Sequence, residues 1–369
     1  MRVLLTADTV GGVWTYAREL ATGLSRRGIQ VTLVSFGHVP EPRQMEWTQC
    51  LRNLDYRPTA FRLEWMQDSA ADSAESSAFL LNVIRETRPD ILHLNQFCYG
   101  ALQVDLPKIV VAHSDVISWW SEVRGEVPPG TAWMRWYRET VLRGLSGASV
   151  VVAPSRWMLS QVEKHYGRPQ YSRVIYNGRN PRSFNAHGCK DNFILTVGRL
   201  WDAAKQVSLL AGLDCGLPVV IAGATEHPDE AYRGDAREIV CEGMVELKGS
   251  QTPGQLRSLF ADAAIYVAAS RYEPFGLAPV EAALSRCAIV ANDIPTFREL
   301  WGEAACYFQA NDAGSLRETL ASLRSDARAR RHFAELAYQR ACGRFTADLM
   351  LAEYLDLYES VCEQKALAA

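Results

Sequence analysis

Short apolar runs alternate with longer stretches in which apolar residues recur every three or four positions. A short apolar run predicts a buried strand, and the longer period predicts a helix. The run 2–7 is followed by the pair Gly11–Gly12, a helical pattern over 13–27 that ends at Gly28, and a second run at 30–37. This order of strand, glycine loop, helix and strand is typical of a parallel, doubly wound sheet.

The alternation continues in two series. In the first, strands are predicted at 91–95, 108–114, 148–155 and 172–178, and helices at 77–90, at 132–145 and from 156. A polar stretch from Gly178 to Asn192 lacks apolar periodicity and is interpreted as an interdomain linker. The second series has predicted strands at 193–199, 218–223, 264–270 and 288–293.

The two series predict an α/β protein of two successive domains with a cleft between them. We assign residues 1–185 to an N-terminal domain and 186–345 to a C-terminal domain, both Rossmann-like. Residues 346–369 are expected to form a helical segment that packs back toward the N-terminal domain.

Composition and charge exclude several classes of protein. Of 369 residues, 48% are hydrophobic, and the net charge of −3 offers no basic face for nucleic acid. Nine irregularly spaced cysteines without a Cys-x-x-Cys pair argue against a disulfide framework or a zinc site and predict reduced, mostly buried thiols. The first residues do not resemble a secretory signal, and no run of about 18 apolar residues occurs. We therefore expect a cytoplasmic protein.

Candidate ligand-binding residues follow the carboxyl ends of the predicted strands, where doubly wound sheets bind their ligands. These residues are Gly11, Gly12, His113, Arg199 and the loop that begins at 270. A glycine pair allows the backbone to approach a phosphate, and a helix N-terminus favours an anion. Cations near a strand end suit a diphosphate.

Each candidate also has an ordinary structural interpretation. The glycine pair is also compatible with a tight turn, His113 with a hydrogen-bonded core histidine, and Arg199 and Lys205 with surface charges. Glu281 would normally lie on a solvated helix face, yet its neighbours are apolar, and an acid in such surroundings needs a partner.

The stretch EPFGLAPVE, from Glu273 to Glu281, resembles the E-x7-E signature of retaining glycosyltransferases of family 4, which have the GT-B fold. Further similarities occur in the expected order: the glycine pair, the histidine in VVAHS, APS at 153–155, NG at 177–178, and VGRL at 197–200 with Lys205 downstream. The resemblance covers nearly the whole chain. It implies a GT-B fold of two Rossmann-like, doubly wound domains facing each other across a deep cleft. By the same resemblance, domain 1–185 is expected on the acceptor side and domain 186–345 is expected to bind the nucleotide sugar.

The resemblance implies that the two acids bind different ends of one nucleotide sugar. Glu273 is expected to face the donor sugar, with a catalytic role. Backbone N–H groups of Phe275, Gly276 and Leu277 are expected to bind sugar hydroxyls and phosphate. Glu281 is expected to accept hydrogen bonds from the ribose hydroxyls.

The remaining expected roles concern the diphosphate and the sugar. Arg199 and Lys205 are expected to neutralise the departing diphosphate, and His113 to lie beside the sugar. All three, like Glu273, are expected to be catalytic. Gly11 and Gly12 are expected to lie against the phosphates. Lys205 stands one residue further along than is usual in the family and is expected in the first turn of the next helix.

The implied activity is a metal-independent, retaining transfer of a sugar from a UDP- or GDP-type donor to a saccharide, lipid-linked or small-molecule acceptor. No cofactor and no metal are expected, because Asp-x-Asp is missing and two cations are present. The alternatives are an inactive nucleotide-sugar-binding protein and a GT-B sugar-nucleotide epimerase. A dinucleotide-dependent oxidoreductase is disfavoured because G-x-G-x-x-G does not follow the first strand.

The segment 119–145 combines tryptophans with arginines. Such a segment could stack on a sugar or lie on the inner face of an anionic membrane, which would give the N-terminal domain peripheral membrane contact. The alternative is a core helix with arginines on its outer face. The sequence leaves open the base, the sugar, the acceptor and the oligomeric state.

Overall fold

The computed structural model describes residues 1–227 and 243–368. The chain divides into two compact units, one formed by Met1–Asn177 with Ala347–Ala369 and the other by Gly178–Thr346. The sequence placed the boundary between residues 185 and 186. The structure divides the chain after Asn177, and the backbone N–H of Arg179 donates to the carbonyl of Phe345, 2.9 Å away, within the second unit.

The first unit contains a seven-stranded parallel sheet in the order β3-β2-β1-β4-β5-β6-β7. Its strands are β1 (Arg2–Asp8), β2 (Gln30–Phe36), β3 (Leu54–Pro58), β4 (Ile91–Leu94), β5 (Lys108–Val111), β6 (Val150–Ala153) and β7 (Ser172–Val174). Its helices are α1 (Gly12–Arg26), α2 (Pro42–Gln49), α3 (Ala70–Thr87), α4 (Val116–Arg124), α5 (Ala132–Gly147), α6 (Arg156–Tyr166) and α13 (Ala347–Ala368).

The C-terminal helix α13 belongs to this unit because it completes one of its cores. Leu20 and Leu24 of α1 lie in the same buried cluster as Tyr354 and Tyr358 of α13. Gly23 faces α13, and a Cβ atom at that position would lie 2.7 Å from a methyl group of Leu351. The missing side chain of Gly23 therefore allows α1 and α13 to pack closely.

The second unit contains a six-stranded parallel sheet in the order β10-β9-β8-β11-β12-β13. Its strands are β8 (Asp191–Val197), β9 (Val219–Ala222), β10 (Val245–Gly249), β11 (Ala263–Ala268), β12 (Ala288–Asn292) and β13 (Cys306–Phe308). Its helices are α7 (Ser208–Ala211), α8 (Pro253–Asp262), α9 (Leu277–Leu284), α10 (Pro295–Trp301), α11 (Ala313–Ser325) and α12 (Ala327–Arg344).

The three strands that the sequence did not predict, β3, β10 and β13, all lie at sheet edges. Edge strands are less covered, and β3 and β10 have no fully buried residue. Strands β3 and β10 lack the continuous apolar run by which the central strands were recognised, since a strand buried on both faces reads as such a run. Strands β11 and β12, in contrast, are buried at every position.

The cysteines and the aromatic segment refine two expectations. Eight cysteines are free thiols, but only Cys215 and Cys287 are buried, so the expectation of mostly buried thiols was wrong; Cys241 lies outside the described residues. Helix α5 buries Met134 and Tyr137 and exposes Arg138, which agrees with the core-helix alternative. No helix in the described part of the chain is long and apolar enough to cross a membrane.

Candidate functional site

The order of strands defines one ligand-binding edge in each unit. In an open parallel sheet, ligands bind outside the carboxyl ends of the strands where the order reverses. In the second unit this point lies between β8 and β11, and in the first between β1 and β4. The predicted site residues of each unit lie on segments that begin at the carboxyl ends of these strands or of adjacent ones.

A close backbone contact shapes the loop after β8. Gly198 donates its N–H to the carbonyl of Ala222 at 3.0 Å, and Gly223 has a φ of 152°. A Cβ atom on Gly223 would lie 1.7 Å from the carbonyl oxygen of Gly198, so no larger residue fits there. This contact fixes the backbone immediately before Arg199.

Arg199 is held by a buried carboxylate. Its Nη2 atom donates to Asp202 Oδ2 at 2.6 Å, and its guanidinium lies 4.8 Å from the ring centroid of Trp201. Asp202 also caps a short 3-10 helix by accepting from the N–H of Ala204 at 3.0 Å. The Arg199 side chain is 37% exposed, so it can reach a ligand while Asp202 positions it.

Lys205 and Glu273 form an ion pair across two loops. Lys205 Nζ donates to Glu273 Oε2 at 2.6 Å, and the Ser270 hydroxyl donates to the same oxygen at 3.0 Å. The expectation that Lys205 lies in the first turn of a helix was wrong, because it ends the 3-10 helix Ala203–Lys205 and α7 begins only at Ser208. A further bond, from Arg271 N–H to Ala204 O at 2.9 Å, ties the two loops together.

Buried amides anchor the start of the Glu273 loop, a feature that the sequence did not indicate. Asn292 Nδ2 donates to the carbonyl of Ser270 at 3.1 Å. The Gln206 amide is oriented so that its nitrogen donates to Ala269 O at 2.9 Å and its oxygen accepts from Arg271 Nε at 2.9 Å. This orientation is assigned from the surrounding donors and acceptors. These hydrogen bonds therefore fix the loop backbone in the residues that precede Glu273.

The segment between the two acids turns sharply into α9. The Phe275 side chain is buried against Phe345, with the ring centroids 5.4 Å apart. Gly276 has a φ of 88° and precedes Leu277, the first residue of α9, whose first turn contains no acidic residue. The N–H groups of this first turn have no partner within the helix, so the turn favours an anion.

Glu281 faces a buried cation that sequence reasoning missed. Its Oε1 atom lies 2.8 Å from Arg179 Nε, and the side chains are 14% and 5% exposed. Arg179 follows the pair Asn177–Gly178 in the stretch interpreted as a linker, and no periodicity marked it. The presence of an acid among apolar neighbours was the one sequence signal that a partner existed.

Tyr266 on β11 lies near both acids. Burial raises the pKa of the Tyr266 hydroxyl, and the charges of Glu273 and Glu281 raise it further. The hydroxyl donates to the carbonyl of Val197 at 3.4 Å. The two carboxylates are thus close enough to influence the same phenol, although each has its own cation.

In the first unit, the glycine loop is built around a buried aspartate. Asp8 Oδ1 accepts from the N–H of Val10 at 2.5 Å, and Oδ2 accepts from the indole N–H of Trp65 at 3.1 Å. Gly11 has a φ of 84°, which glycine adopts readily, and Gly12 begins α1. No acidic residue occupies the first turn of α1.

The His113 side chain is half-buried and forms a hydrogen bond with Asn95, the residue that follows β4. Its Nε2 atom lies 2.8 Å from Asn95 Oδ1, and its ring lies edge-on to Tyr16, 4.6 Å between centroids. Burial lowers the pKa of His113 from 6.5 to about 3. His93 of β4 lies deeper, with Nε2 2.9 Å from the Tyr16 hydroxyl and Nδ1 2.7 Å from that of Tyr358, and burial lowers its pKa to about 3.

The predicted residues thus form one group in each unit. Arg199, Lys205, Glu273, Gly276 and Glu281 lie on the β8, β11 and α9 segments of the second unit. Gly11, Gly12 and His113 lie after β1 and β5 of the first unit. Among residues 1–227 and 243–368, no group of three or more His, Cys, Asp or Glu side chains is arranged to hold a metal ion.

Two family models match the chain in succession. The model described as Glycosyltransferase Family 4 matches residues 10–183, and the model described as Glycosyl transferases group 1 matches residues 180–340. The two matches meet close to the boundary between the two units.

The chain is also similar to individual relatives in sequence and to solved structures in fold. The chain is 25% identical over 300 residues to the alpha-maltose-1-phosphate synthase of Mycobacterium tuberculosis, covering 71% of this chain and 75% of that protein. It is 32% identical over 149 residues to the GDP-mannose:cellobiosyl-diphosphopolyprenol alpha-mannosyltransferase of Xanthomonas oryzae, covering 37% and 38%. The structure of Anabaena HepE in complex with UDP and glucose superposes with a TM-score of 0.77 at 17% identity, covering 98% of this chain and 100% of HepE.

Proposed function

Because the chain belongs to the family 4 glycosyltransferases of GT-B fold, we propose that it transfers a sugar from a nucleoside-diphosphate sugar with retention of anomeric configuration and without a metal ion. The donor is of the UDP or GDP type. One relative named for GDP-mannose and a neighbouring structure with UDP and glucose support these two nucleotides. The acceptor is a saccharide, a lipid-linked saccharide or a small molecule.

One observation carries this proposal: each acid of the E-x7-E stretch contacts a different cation. Glu273 contacts Lys205 at 2.6 Å, and Glu281 contacts Arg179 at 2.8 Å. A glycosidase uses two carboxyl groups that flank one bond, with one of them protonated. Two ion-paired carboxylates instead act as hydrogen-bond acceptors, which suits the sugar and ribose hydroxyls of one donor.

Cations and backbone donors of the second unit are proposed to stabilise the leaving diphosphate. Lys205 has three ammonium N–H groups. One of them donates a hydrogen bond to Glu273, so the same ammonium can also donate to a phosphate oxygen. Arg199 and the first turn of α9 supply further positive charge. Preorganised donors of this kind stabilise negative charge that develops in a transition state.

The proposed reaction needs no base from the protein. As the bond between the anomeric carbon and the diphosphate breaks, the electron pair leaves with the phosphate oxygen. The acceptor hydroxyl attacks the oxocarbenium-like carbon from the same face, and its proton passes to the departing phosphate. The roles expected for Gly11, Gly12 and His113 in the first unit stay predictions.

The first experiment identifies the nucleotide. The melting temperature is measured with UDP, GDP, ADP, dTDP and NAD, each with Mg²⁺ and with EDTA. A ligand at about 100 times its Kd stabilises the folded state by about 2.7 kcal/mol, which gives a clear rise in melting temperature. The proposal predicts a shift with UDP or GDP that EDTA leaves unchanged, whereas a shift with NAD alone would contradict it.

The second experiment tests the roles of the acids. Purified protein is incubated with the UDP or GDP sugar and candidate acceptors, and the anomeric configuration of the product is determined by NMR. Glu281→Gln is expected to raise the Kd for the nucleotide, while Glu273→Gln is expected to lower turnover more than nucleotide binding. Glu318→Gln, on the exposed face of α11, is the matched control. Nucleotide binding without turnover of any donor would identify an inactive binding protein instead.

A further inference from the structure

We propose that Asn95 is a positioning residue that holds His113 as the neutral tautomer with its proton on Nε2, so that Nδ1 is presented to ligands as a hydrogen-bond acceptor. Asn95 follows β4 and His113 follows β5, and these strands are neighbours in the sheet. The proposed tautomer is a property of the ligand-free chain. Only the identification of the ligand group as a sugar hydroxyl rests on the proposed function.

The orientation of the Asn95 amide follows from its partner on β1. Its side-chain nitrogen lies 2.6 Å from the carbonyl oxygen of Thr6. A carbonyl oxygen only accepts, so the atom of Asn95 that faces it must be the NH₂ group. The backbone N–H of Asn95 also donates to the Thr6 hydroxyl at 2.9 Å, which fixes the position of the residue. Asn95 is 9% exposed, so water cannot easily replace these bonds.

The orientation of Asn95 determines the proton position on His113. With NH₂ facing Thr6, the Oδ1 atom of Asn95 faces His113 Nε2 at 2.8 Å. An amide oxygen has no proton to donate, so Nε2 must carry the hydrogen in this contact. In a neutral imidazole only one nitrogen is protonated, and Nδ1 therefore keeps its lone pair.

The surroundings of His113 favour the neutral ring. Burial lowers its pKa, and the neighbouring titratable groups Tyr16 of α1 and His93 of β4 supply no negative charge at neutral pH. Within residues 1–227 and 243–368, no side chain or backbone group forms a hydrogen bond with Nδ1.

The ligand chemistry follows from the lone pair on Nδ1. A ligand group that contacts this atom must be a donor, such as a hydroxyl. A phosphate dianion, which only accepts, would face lone pair against lone pair. With the proposed function as the premise, this donor is a hydroxyl of the sugar, and His113 makes no contact with the diphosphate through Nδ1.

Imidazole nitrogen NMR tests the tautomer directly. Protein containing ¹⁵N-histidine is examined without ligand at pH 7, and the signals of His113 are identified by their loss in His113→Phe. The expected result is a protonated Nε2 and an unprotonated Nδ1. A protonated Nδ1, or a ring that exchanges between tautomers, would overturn the proposal whether or not the protein is a glycosyltransferase.

Substitution of Asn95 tests its positioning role. In Asn95→Leu the acceptor is lost, and we expect His113 to exchange between tautomers and kcat for sugar transfer to fall about tenfold to a hundredfold with a smaller change in KM for the donor. Asn53→Leu removes a half-buried amide elsewhere in the first unit and should leave the His113 signals unchanged.

The outcomes separate the inference from the proposed function. The parent spectrum alone decides on the tautomer if Asn95→Leu does not fold. A parent-like His113 spectrum in folded Asn95→Leu would show that Asn95 does not hold the ring. If no donor is turned over but the tautomer is as expected, the proposed function fails and the assignment of His113 stands.

Discussion

The ion pair Lys205–Glu273 allows a quantitative test of how burial determines the strength of a charge contact. A second pair of the same unit, Lys248–Glu246, has the same N–O distance of 2.6 Å. The side chains of the first pair are 18% and 14% exposed, whereas those of the second are 35% and 60% exposed. Distance is therefore constant between the two pairs, and solvent exposure differs.

The expected coupling energies follow from the dielectric environment. At an effective dielectric constant near 20, two unit charges 2.6 Å apart attract by about 6 kcal/mol, and in bulk water by roughly 1.6 kcal/mol. Desolvation removes part of the buried attraction. We expect a coupling of about 2–4 kcal/mol for Lys205–Glu273, and below about 1 kcal/mol for Lys248–Glu246.

The assay is a double-mutant cycle for each pair, with the lysine changed to Met, the glutamate to Gln, and both together. The stability of the second unit is measured by hydrogen exchange of the β11 amides, which lie in its central strand pair. Each single substitution in the buried pair should be costly because it leaves a charge without its partner. Equal coupling energies in the two cycles would refute the argument from burial.

Three further predictions concern packing, pH and reactivity. Gly223→Ala should prevent stable folding of the second unit because its Cβ would overlap a backbone oxygen. Gly254→Ala should fold normally, because its Cβ would lie 4.0 Å from the Thr252 hydroxyl, an ordinary contact distance; circular dichroism measures both. The pKa of His93 falls from 6.5 in the unfolded chain to about 3 in the folded protein, so on acidification the unfolded state takes up a proton first. The free energy of unfolding therefore decreases as the pH falls below 6.5, by about 1.4 kcal/mol per pH unit. Between pH 6.5 and 5, the melting temperature of His93→Gln should fall less than that of the parent. Burial raises the pKa of Cys287 to about 11, so in the folded protein a thiol reagent should label exposed Cys189 and spare Cys287, and equal labelling would contradict this.

Local patterns in the sequence were sufficient for most elements of the fold. A central strand of a parallel sheet is buried on both faces, so β11 and β12 appear as uninterrupted apolar runs. Helix α1 shows the helical period because one side of it packs on the core. The edge strands β3 and β10 could not be found in this way, since their burial depends on position in the sheet.

For the candidate site, too, some features could be predicted from the sequence and others could not. Sequence patterns indicate which residues follow the strand ends, including Arg199, Glu273 and His113, because chain order and strand direction place them there. Their partners, such as Arg179 for Glu281 and Asn95 for His113, are known only from the folded chain. These two contacts join residues distant in the chain, and whether they form depends on strand order, on burial and on the distances between side chains, which no local period contains.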